Sequence, residues 1–344
     1  MRLTYQPWGA TLAELADAGR RAEHAGAEVL WVSELHRSAT GTAAALAGAT
    51  STARIGTSIV LAFTRSPMIT ALEALDLDEL SGGRFVLGIG SGVRRLNEDW
   101  HNVPFGRPVG RLRETVRNIR LFWDACATGA EIRADGEFAP MLVRGYQRPY
   151  PVPQRPIPVY LAAMGPLMTR LAGEIGDGWI SHELCSPGYL REQILPDLTL
   201  GLDRADGRAR HDLDVVVSAC CAVAADPALA RRRAAGLVGF YATVRTYADF
   251  FAFHGLADDQ QAVIDAFRAG AGAGQLADSV SDRMVDALTM AGTRDDVAAR
   301  IAAYDGIADT VKLSPPTHGL PPAEIRAAQD EIIALIGELT GASA

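Results

Sequence analysis

The sequence predicts a single α/β domain over residues 1–344 with the (β/α)8 fold, also called the TIM barrel. Eight short apolar segments alternate with helical segments along the chain. Repeated strand–helix units favour a parallel sheet, and eight such units close into a barrel. A barrel takes about 250 residues, which leaves roughly 90 residues of this chain for insertions.

Four strand–helix units are predicted in the first part of the chain. The strand at 2–5 precedes Thr11 and Glu14, whose spacing is typical of a capping box at the start of a helix. The helix at 109–127 has apolar residues at spacings of three and four, which indicates one buried face. The other strands are expected at 29–32, 55–62 and 84–90, and the other helices at 41–52 and from residue 67 to residue 82.

Four further units are predicted after a long connection. Their strands are expected at 157–162, 178–182, 213–223 and 308–313, and their helices at 166–175, 187–207, 226–237, 294–304 and 322–339. Three segments are longer than a connection requires, and they predict insertions at about 91–108, 128–156 and 240–290. The second insertion is rich in proline and glycine, which is typical of a loop with a short hairpin, and the third has a helical pattern.

Composition excludes several classes of partner. The chain has 33 Lys+Arg against 41 Asp+Glu, a net charge of -8. Binding to nucleic acid or to an anionic membrane depends on basic side chains that neutralise phosphate, so we expect neither partner. The four cysteines form no C-x-x-C pair, and the sequence has neither a signal-peptide pattern nor a run of about 18 apolar residues. We therefore expect a cytoplasmic protein that acts on a small molecule.

The segment between the strand at 157–162 and the next helix predicts an anion site. Active sites of barrels lie at the C-terminal ends of the strands. Proline at the first helical position leaves the neighbouring N–H groups and the positive end of the helix dipole free to face a phosphate. A plain turn with an N-cap is the alternative. The segment consists of Ala162, Ala163, Met164, Gly165 and Pro166.

Two polar residues follow the second strand. Glu34 and His36 predict an acid–base or orienting pair, because polar side chains at this end of a barrel can reach a bound ring. A surface loop is the alternative interpretation. The predicted catalytic residues are therefore Glu34 and His36.

Three glycines cluster at the end of the fourth strand. Gly88, Gly90 and Gly92 suggest a phosphate loop, but Val93 stands where a dinucleotide motif requires glycine. Small residues at a strand end instead fit a crowded barrel interior, or let a flat ring approach the backbone. The second interpretation is preferred.

Metal chemistry and serine hydrolysis have little support. The seven histidines are scattered without an H-x-H or H-E-x-x-H pair, so no metal site is predicted. Ser91 lacks the G-x-S-x-G frame of a nucleophile elbow.

Several motifs occur in order along nearly the whole chain, and together they resemble the bacterial luciferase-like family. Within that family they are most similar to actinobacterial oxidoreductases that use the deazaflavin coenzyme F420. The motifs are AGAEVLWVSE (25–34), ATSTARIGTSIVL (49–61), RSP (65–67), LSGGRFVLGIGSG (80–92), LNE (96–98), YLAAMGP (160–166), GDGWI (176–180) and GT (292–293).

The resemblance implies a luciferase-like TIM barrel and a set of cofactor-binding residues. It implies a bulge, often with a non-proline cis peptide, near Leu61, Ala62 and Phe63, which would back the ring of the cofactor. Glu34 matches an acidic position that contacts the ring, and Asn97 matches an asparagine that holds it. The tail and its phosphate are expected at the backbone of Ala162, Ala163, Met164, Gly165 and Pro166 and beside Ser181 and His182.

Two positions depart from the family pattern. Many relatives have histidine directly after the acidic residue, whereas Leu35 stands here and His36 follows. Some deazaflavin relatives have glutamate three residues before the asparagine, whereas Arg94 stands here. For this reason we assign no sugar-phosphate dehydrogenase activity.

The resemblance implies hydride transfer between coenzyme F420 and a small organic substrate, with Glu34 or His36 carrying the proton. One alternative is an FMN-dependent monooxygenase that uses reduced flavin and O2, and another is a barrel that binds flavin without turnover. The insertions are expected to form the substrate pocket. Aromatic residues between 240 and 253 could line it, or could pack as helix core. A homodimer is expected from the family.

Overall fold

The computed structural model describes residues 1–342, and Ser343 and Ala344 at the end of the predicted domain lie outside the described residues. In this range the chain forms twelve strands and fourteen α-helices. The strands are β1 (Arg2–Tyr5), β2 (Val29–Val32), β3 (Arg54–Thr57), β4 (Val60–Leu61), β5 (Phe85–Gly90), β6 (Ile132–Ala134), β7 (Met141–Val143), β8 (Val159–Ala162), β9 (Gly178–Ile180), β10 (Asp214–Val223), β11 (Met290–Gly292) and β12 (Thr310–Ser314). The helices are α1 (Leu12–His24), α2 (Ala39–Ala49), α3 (Pro67–Ser81), α4 (Pro108–Ala125), α5 (Pro166–Ile175), α6 (Pro187–Tyr189), α7 (Leu195–Leu202), α8 (Pro227–Ala242), α9 (Ala248–Phe253), α10 (Ala257–Arg268), α11 (Ala273–Asp278), α12 (Asp282–Leu288), α13 (Arg294–Ala302) and α14 (Pro322–Thr340).

The eight predicted strands are present as β1, β2, β3 with β4, β5, β8, β9, β10 and β12. Of the other strands, β6 and β7 lie in the insertion predicted at 128–156 and form an antiparallel hairpin. The short strand β11 begins where the insertion predicted at 240–290 ends, and it pairs in parallel with β10, which the sequence did not predict. The insertion at 240–290 is helical, as predicted, but it is divided into short helices. None of the helices in residues 1–342 is both long and apolar enough to cross a membrane.

The chain divides into two compact units. The first unit comprises Met1–Leu30, Ser181–Pro196 and the chain from Val215 onward. The second comprises Trp31–Ile180 and Asp197–Asp214. The single domain inferred from the sequence stays a prediction.

The first unit contains a parallel sheet in which β12 lies between β10 and β1. Tyr5 of β1 is fully buried, and its hydroxyl donates a hydrogen bond of 3.0 Å to Oε1 of Gln329 on α14. Side chains alternate between the faces of a strand, so Tyr5 and its neighbours in register point to the helices. Thr4, Lys312 and Ser218, which lie opposite one another in the register, point to the other face.

The second unit contains a bulge in its third predicted strand. Gly56 lies opposite Val86, whereas Val60 lies opposite Ile89, so four residue steps on one strand face three on the other. A single extra residue of this kind is a β-bulge. The peptide bond between Ser58 and Ile59 is cis.

The bulge corrects two predictions. The strand expected at 55–62 is interrupted at 58–59, and the bulge expected near 61–63 lies at these earlier residues. The physical reason is the hydroxyl of Thr57, which donates to the carbonyl of Gly88 at 2.7 Å and accepts from its N–H at 2.9 Å. The Thr57 side chain thus forms hydrogen bonds with both the N–H and the carbonyl of Gly88, and the backbone resumes pairing with β5 only at Val60. A Cβ on Gly88 would lie 1.7 Å from the carbonyl oxygen of Thr57, so this approach requires glycine.

Candidate functional site

Most predicted site residues lie in the second unit, just after its strands or at their ends. Glu34 follows β2, Leu61 ends β4, and Asn97 lies in a π-helical turn after β5. The segment from Ala162 to Pro166 connects β8 to α5. Ser181 and His182 belong to the first unit.

The carboxylate of Glu34 is held by Arg65 and by the backbone at the end of β4. Arg65 forms a bidentate ion pair with it, with both N–O distances at 2.7 Å, and the N–H of Leu61 donates to Oε2 at 2.8 Å. Burial raises the pKa of the Glu34 carboxyl, but the hydrogen bonds from Arg65 and Leu61 outweigh burial and the pKa is lowered. Glu34 is therefore an ionised group that fixes the backbone beyond the bulge. This arrangement favours a positioning role over proton donation.

His36 is more exposed to solvent than Glu34. Its side chain is exposed on the loop between β2 and α2, as is that of Leu35. Glu34, by contrast, is held by Arg65 in a half-buried ion pair. The two members of the predicted acid–base pair thus have different surroundings, and the catalytic role of His36 stays a prediction.

Asn97 is fully buried beside the end of β4. Its Nδ2 donates to the carbonyls of Ser91 at 2.8 Å and Val93 at 3.0 Å. Its Oδ1 is buried and has no hydrogen-bond partner within residues 1–342. A Cβ on Gly92 would lie 2.7 Å from Leu61 and 3.4 Å from Nδ2 of Asn97, so the glycine allows these two side chains to approach. A buried acceptor without a partner costs about 1 to 3 kcal/mol, so a hydrogen-bond donor such as a ligand N–H would stabilise this site.

The residues after Leu61 are also fixed by protein contacts. The N–H of Ala62 donates to the carbonyl of Gly90 at 2.9 Å. The ring of Phe63 lies 6.1 Å from that of Phe105, and the guanidinium of Arg111 lies 4.4 Å from its centre. The side chain of Phe63 is buried, so it supports the backbone at the end of β4.

The start of α5 offers space in front of the first N–H groups of the helix, which have no partner within the helix itself. Gly165 has φ +82, and a Cβ there would meet no described atom within 4 Å. Pro166 occupies the first turn of α5, and the indole N–H of Trp179 donates to the carbonyl of Ala163 at 3.0 Å, which holds the preceding loop. The helix has ten residues and its positive end faces this space. The geometry fits the anion site predicted from the sequence.

Ser181 links a loop to the sheet of the first unit. Its hydroxyl accepts from the N–H of Ser218 at 2.7 Å and donates to the carbonyl of His182 at 2.7 Å. Both of these hydrogen bonds of the Ser181 hydroxyl are therefore made with backbone groups of the protein. Its assignment to the cofactor tail stays a prediction.

His182 lies among aromatic rings from the third insertion. Its ring centre is 4.8 Å from that of Phe250, 5.1 Å from that of Tyr247 and 6.0 Å from that of Tyr241. The Nδ1 atom accepts from the N–H of Leu184 at 3.2 Å, so the proton of the neutral ring is on Nε2, which is buried and without a partner in the described chain. Burial, with the nearby charge of His254, lowers the pKa of His182 to about 3. His182 is therefore a neutral donor.

The partner of Glu34 could not be predicted from the sequence. Arg65 stands in the motif RSP at 65–67, but nothing in the local pattern connects it to a carboxylate 31 residues earlier. The position of the bulge at Ser58 and Ile59 could not be predicted from a local sequence pattern either. Among residues 1–342, no group of three or more His, Cys, Asp or Glu side chains is arranged to hold a metal ion.

Comparison with known proteins places the chain in a family. The model of the luciferase-like monooxygenase family matches residues 1–310. The uncharacterized protein Rv1360 of Mycobacterium tuberculosis is 32% identical over 310 residues, which cover 87% of this chain and 89% of the relative. The putative coenzyme F420-dependent oxidoreductase Rv3520c of the same organism is 30% identical over 88% of this chain and 91% of the relative.

A solved structure shows the same fold. The coenzyme F420-dependent tetrahydromethanopterin reductase of Methanopyrus kandleri superposes with a TM-score of 0.82 and 22% identity, over 98% of this chain and 96% of that chain. The predicted (β/α)8 barrel fold with luciferase-like topology is thereby confirmed. The chain is a member of the luciferase-like monooxygenase family.

Proposed function

We propose that the protein is an oxidoreductase that transfers a hydride between coenzyme F420 and a small organic substrate. The observation that carries the proposal is the buried Oδ1 of Asn97, which has no partner in the described part of the chain and lies beside the end of β4. Relatives and structural neighbours named for coenzyme F420 support the choice of cofactor.

The second unit has the features that a ring cofactor with a phosphate tail requires. Asn97 Oδ1 would accept a hydrogen bond from a ring N–H. The backbone from the bulge to Leu61, held by Glu34, would back the ring, and the N–H groups at the start of α5 beyond Gly165 would bind the phosphate. When bound, the deazaflavin supplies a two-electron hydride carrier, and the protein supplies orientation.

Other residues of the protein hold the backbone that would support the ring. Arg65 keeps Glu34 ionised and so keeps Leu61 in place. Phe63, packed by Phe105 and Arg111, prevents this backbone from shifting. A rigid support of this kind favours transfer because the reacting atoms are held in one orientation.

An FMN-dependent monooxygenase is the second candidate, and the name of the family model favours it. Flavin and deazaflavin both have a ring N–H and a tail phosphate, so Asn97 and the start of α5 suit either. A barrel that binds the cofactor without turnover is the third candidate. The cofactor itself must therefore be tested directly.

The test is a fluorescence titration of the apoprotein with oxidised F420 and, separately, with FMN. We expect tight binding of F420 and weaker binding of FMN. Asn97→Ala should weaken F420 binding about 5- to 150-fold because it removes a ligand acceptor worth about 1 to 3 kcal/mol. Gly165→Asp should weaken it similarly because it places a negative charge in the anion site.

Gly145→Asp is the matched control for Gly165→Asp. Gly145 also has a positive φ and no described atom within 4 Å of a built Cβ, but it lies in the insertion after β7. Its substitution should leave the F420 affinity unchanged. Preference for FMN would favour the monooxygenase, and unchanged F420 affinity in both site variants would contradict the site.

We also propose that the protein acts in the cytoplasm as a homodimer, as the family resemblance implies. Light scattering coupled to size-exclusion chromatography checks the dimer. A single peak at the mass of one chain, 36.6 kDa, would contradict it.

A further inference from the structure

A serine and a histidine of the first unit form a hydrogen bond that the proposed function does not use. Ser186 directly precedes α6, and His254 directly follows α9. Oγ of Ser186 lies 2.7 Å from Nε2 of His254. The two residues are 68 positions apart, and Ser186 stands in no G-x-S-x-G frame, so no local motif indicates the pair. A serine hydrogen-bonded to an imidazole is the nucleophile–base arrangement of acyl-transfer enzymes.

The backbone fixes which nitrogen of His254 carries the proton. Nδ1 lies 2.8 Å from the carbonyl oxygen of Phe250. A carbonyl oxygen only accepts, so Nδ1 is the protonated nitrogen of the neutral ring. Nε2 is then the acceptor, and the hydroxyl of Ser186 donates to it. The carbonyl of Phe250 thus orients the imidazole, which is the task of the third group in a catalytic triad.

The imidazole of His254 is neutral at pH 7 and able to accept a proton. Burial lowers the pKa of His254, and the hydrogen bond with the carbonyl of Phe250 offsets this only in part. The ordinary pKa of histidine is 6.5, so the lowered pKa leaves the ring unprotonated at pH 7. The titratable side chains in its surroundings are His182, Tyr189 and Arg283.

The hydroxyl of Ser186 is fixed in place and has open space beside it. Its Oγ also accepts the N–H of Tyr189 at 3.1 Å, which holds the side chain in one orientation. A Cβ built on Gly188 would meet Oγ of Ser186 at 3.9 Å and no other described atom within 4 Å outside its own turn of helix. His254 is half-buried, so the pair lies near the protein surface. Gly188 therefore leaves room for a small electrophile next to the hydroxyl.

Aromatic rings surround the imidazole of His254. Its ring centre lies 4.5 Å from that of Phe250 and 5.0 Å from that of Phe253. The ring of Tyr189 is nearly parallel to it at 6.2 Å. Phe253 is 36% exposed, so this aromatic group has an edge toward solvent. Rings of this kind favour an apolar, aromatic ligand over a charged one.

We propose that Ser186 and His254 form a catalytic site, built entirely from the first unit, that hydrolyses small aryl esters. Oγ of Ser186 forms a bond to the acyl carbon, and the bond between that carbon and the aryloxy oxygen breaks. The hydroxyl proton passes to Nε2 of His254 and from there to the aryloxide. Water then attacks the acyl-serine by the same route, the carboxylic acid leaves, and Ser186 regains its proton. No electrons are exchanged, so the reaction needs no cofactor and does not depend on the proposed function.

Reaction with a fluorophosphonate tests the nucleophile. This reagent forms a covalent adduct with activated serines, and mass spectrometry of a digest locates the adduct. We expect it on Ser186 and not on Ser66. Ser66 is the matched control, because its Oγ likewise caps a helix by accepting the N–H of Ile69 at 3.2 Å, and it is exposed but has no histidine partner among residues 1–342. An unmodified Ser186 in the folded protein would overturn the proposal.

His254→Asn tests the base. The asparagine amide can still donate to the carbonyl of Phe250 but has no basic nitrogen, so the labelling rate of Ser186 should fall about 100-fold or more. Thermal unfolding shows whether the variant is folded. In the unmodified protein the rate should fall with a midpoint below pH 6.5, because protonated His254 accepts no proton. Equal rates in the folded variant and the unmodified protein, or a rate independent of pH between 4 and 8, would overturn the role of His254.

Turnover is tested with 4-nitrophenyl acetate and the apoprotein. We expect a burst of 4-nitrophenolate equivalent to one acyl group per chain, followed by slower turnover, and no burst in Ser186→Ala. Equal release by the unmodified protein and a folded Ser186→Ala variant would overturn the proposal. Failure of the protein to bind F420 would contradict the proposed function alone, because the ester assay and the labelling contain no F420.

Discussion

Removal of Arg65 should both destabilise the protein and weaken cofactor binding. Arg65→Met leaves the Glu34 carboxylate without its bidentate partner. Breaking a buried ion pair by removing one partner costs about 3 to 5 kcal/mol. The two side chains are 18% and 12% exposed, so water reaches the carboxylate in part and the expected loss is about 2 to 3 kcal/mol.

The loss should depend on pH in a defined direction. The ordinary pKa of the Glu34 carboxyl is 4.5, and in the native protein it is lowered. The ion pair therefore stabilises the protein above pH 4.5, and this stability is lost as the pH falls through the lowered pKa. In the variant burial acts without Arg65, so the pKa of Glu34 should rise above 4.5. Protonation then removes the unpaired charge, and the difference from the native protein should shrink as the pH falls from 7 toward 4.

Guanidinium unfolding at pH 7 and at pH 5, with F420 titration of the same samples, measures both effects. Arg170→Met is the matched control, because Arg170 and Asp197 form an ion pair at 2.7 Å in the same unit without a bond to the backbone beyond the bulge. We expect the Arg65 variant to bind F420 at least about 10-fold more weakly, because Leu61 loses its fixed acceptor. Equal stability losses in the two variants, with unchanged F420 affinity in both, would refute the role given to the Glu34–Arg65 pair.

Two further predictions concern the fold and a buried base. Gly88→Ala should destabilise the protein by more than about 3 kcal/mol, because its Cβ would meet the carbonyl oxygen of Thr57 at 1.7 Å. Gly48→Ala in α2 is the control: no described atom lies within 4 Å of its Cβ, so it should be neutral or stabilising. Equal denaturant midpoints for the two variants would contradict this prediction. The ring signals of His182 should not titrate between pH 5 and 8, because burial lowers its pKa to about 3. Because the unfolded chain binds this proton near pH 6.5, stability should fall as the pH drops below 6.5, and a midpoint near 6.5 in the folded protein would contradict the burial of the ring.

Local patterns in the sequence determined the order of the elements. Apolar runs predicted the eight strands, and the spacing of Thr11 and Glu14 predicted the start of α1, where the Thr11 hydroxyl does accept the N–H of Glu14. Such signals involve residues only a few positions apart, so the sequence alone contains them. The family motifs likewise pointed to Glu34 and Asn97, because each lies just beyond a strand.

Only the tertiary structure decided what these residues do. The partner of Glu34 is 31 residues away, and the hydrogen bond between Gln6 and Lys312 joins residues 306 positions apart. The place of the bulge depends on how Thr57 meets Gly88 on another strand. Contacts of this kind are set by the register between strands, and a one-residue change in register reverses the face on which a side chain lies. No pattern along a single segment records that register, so the ionised state of Glu34 and the surroundings of Lys312 emerge only when the strands are paired.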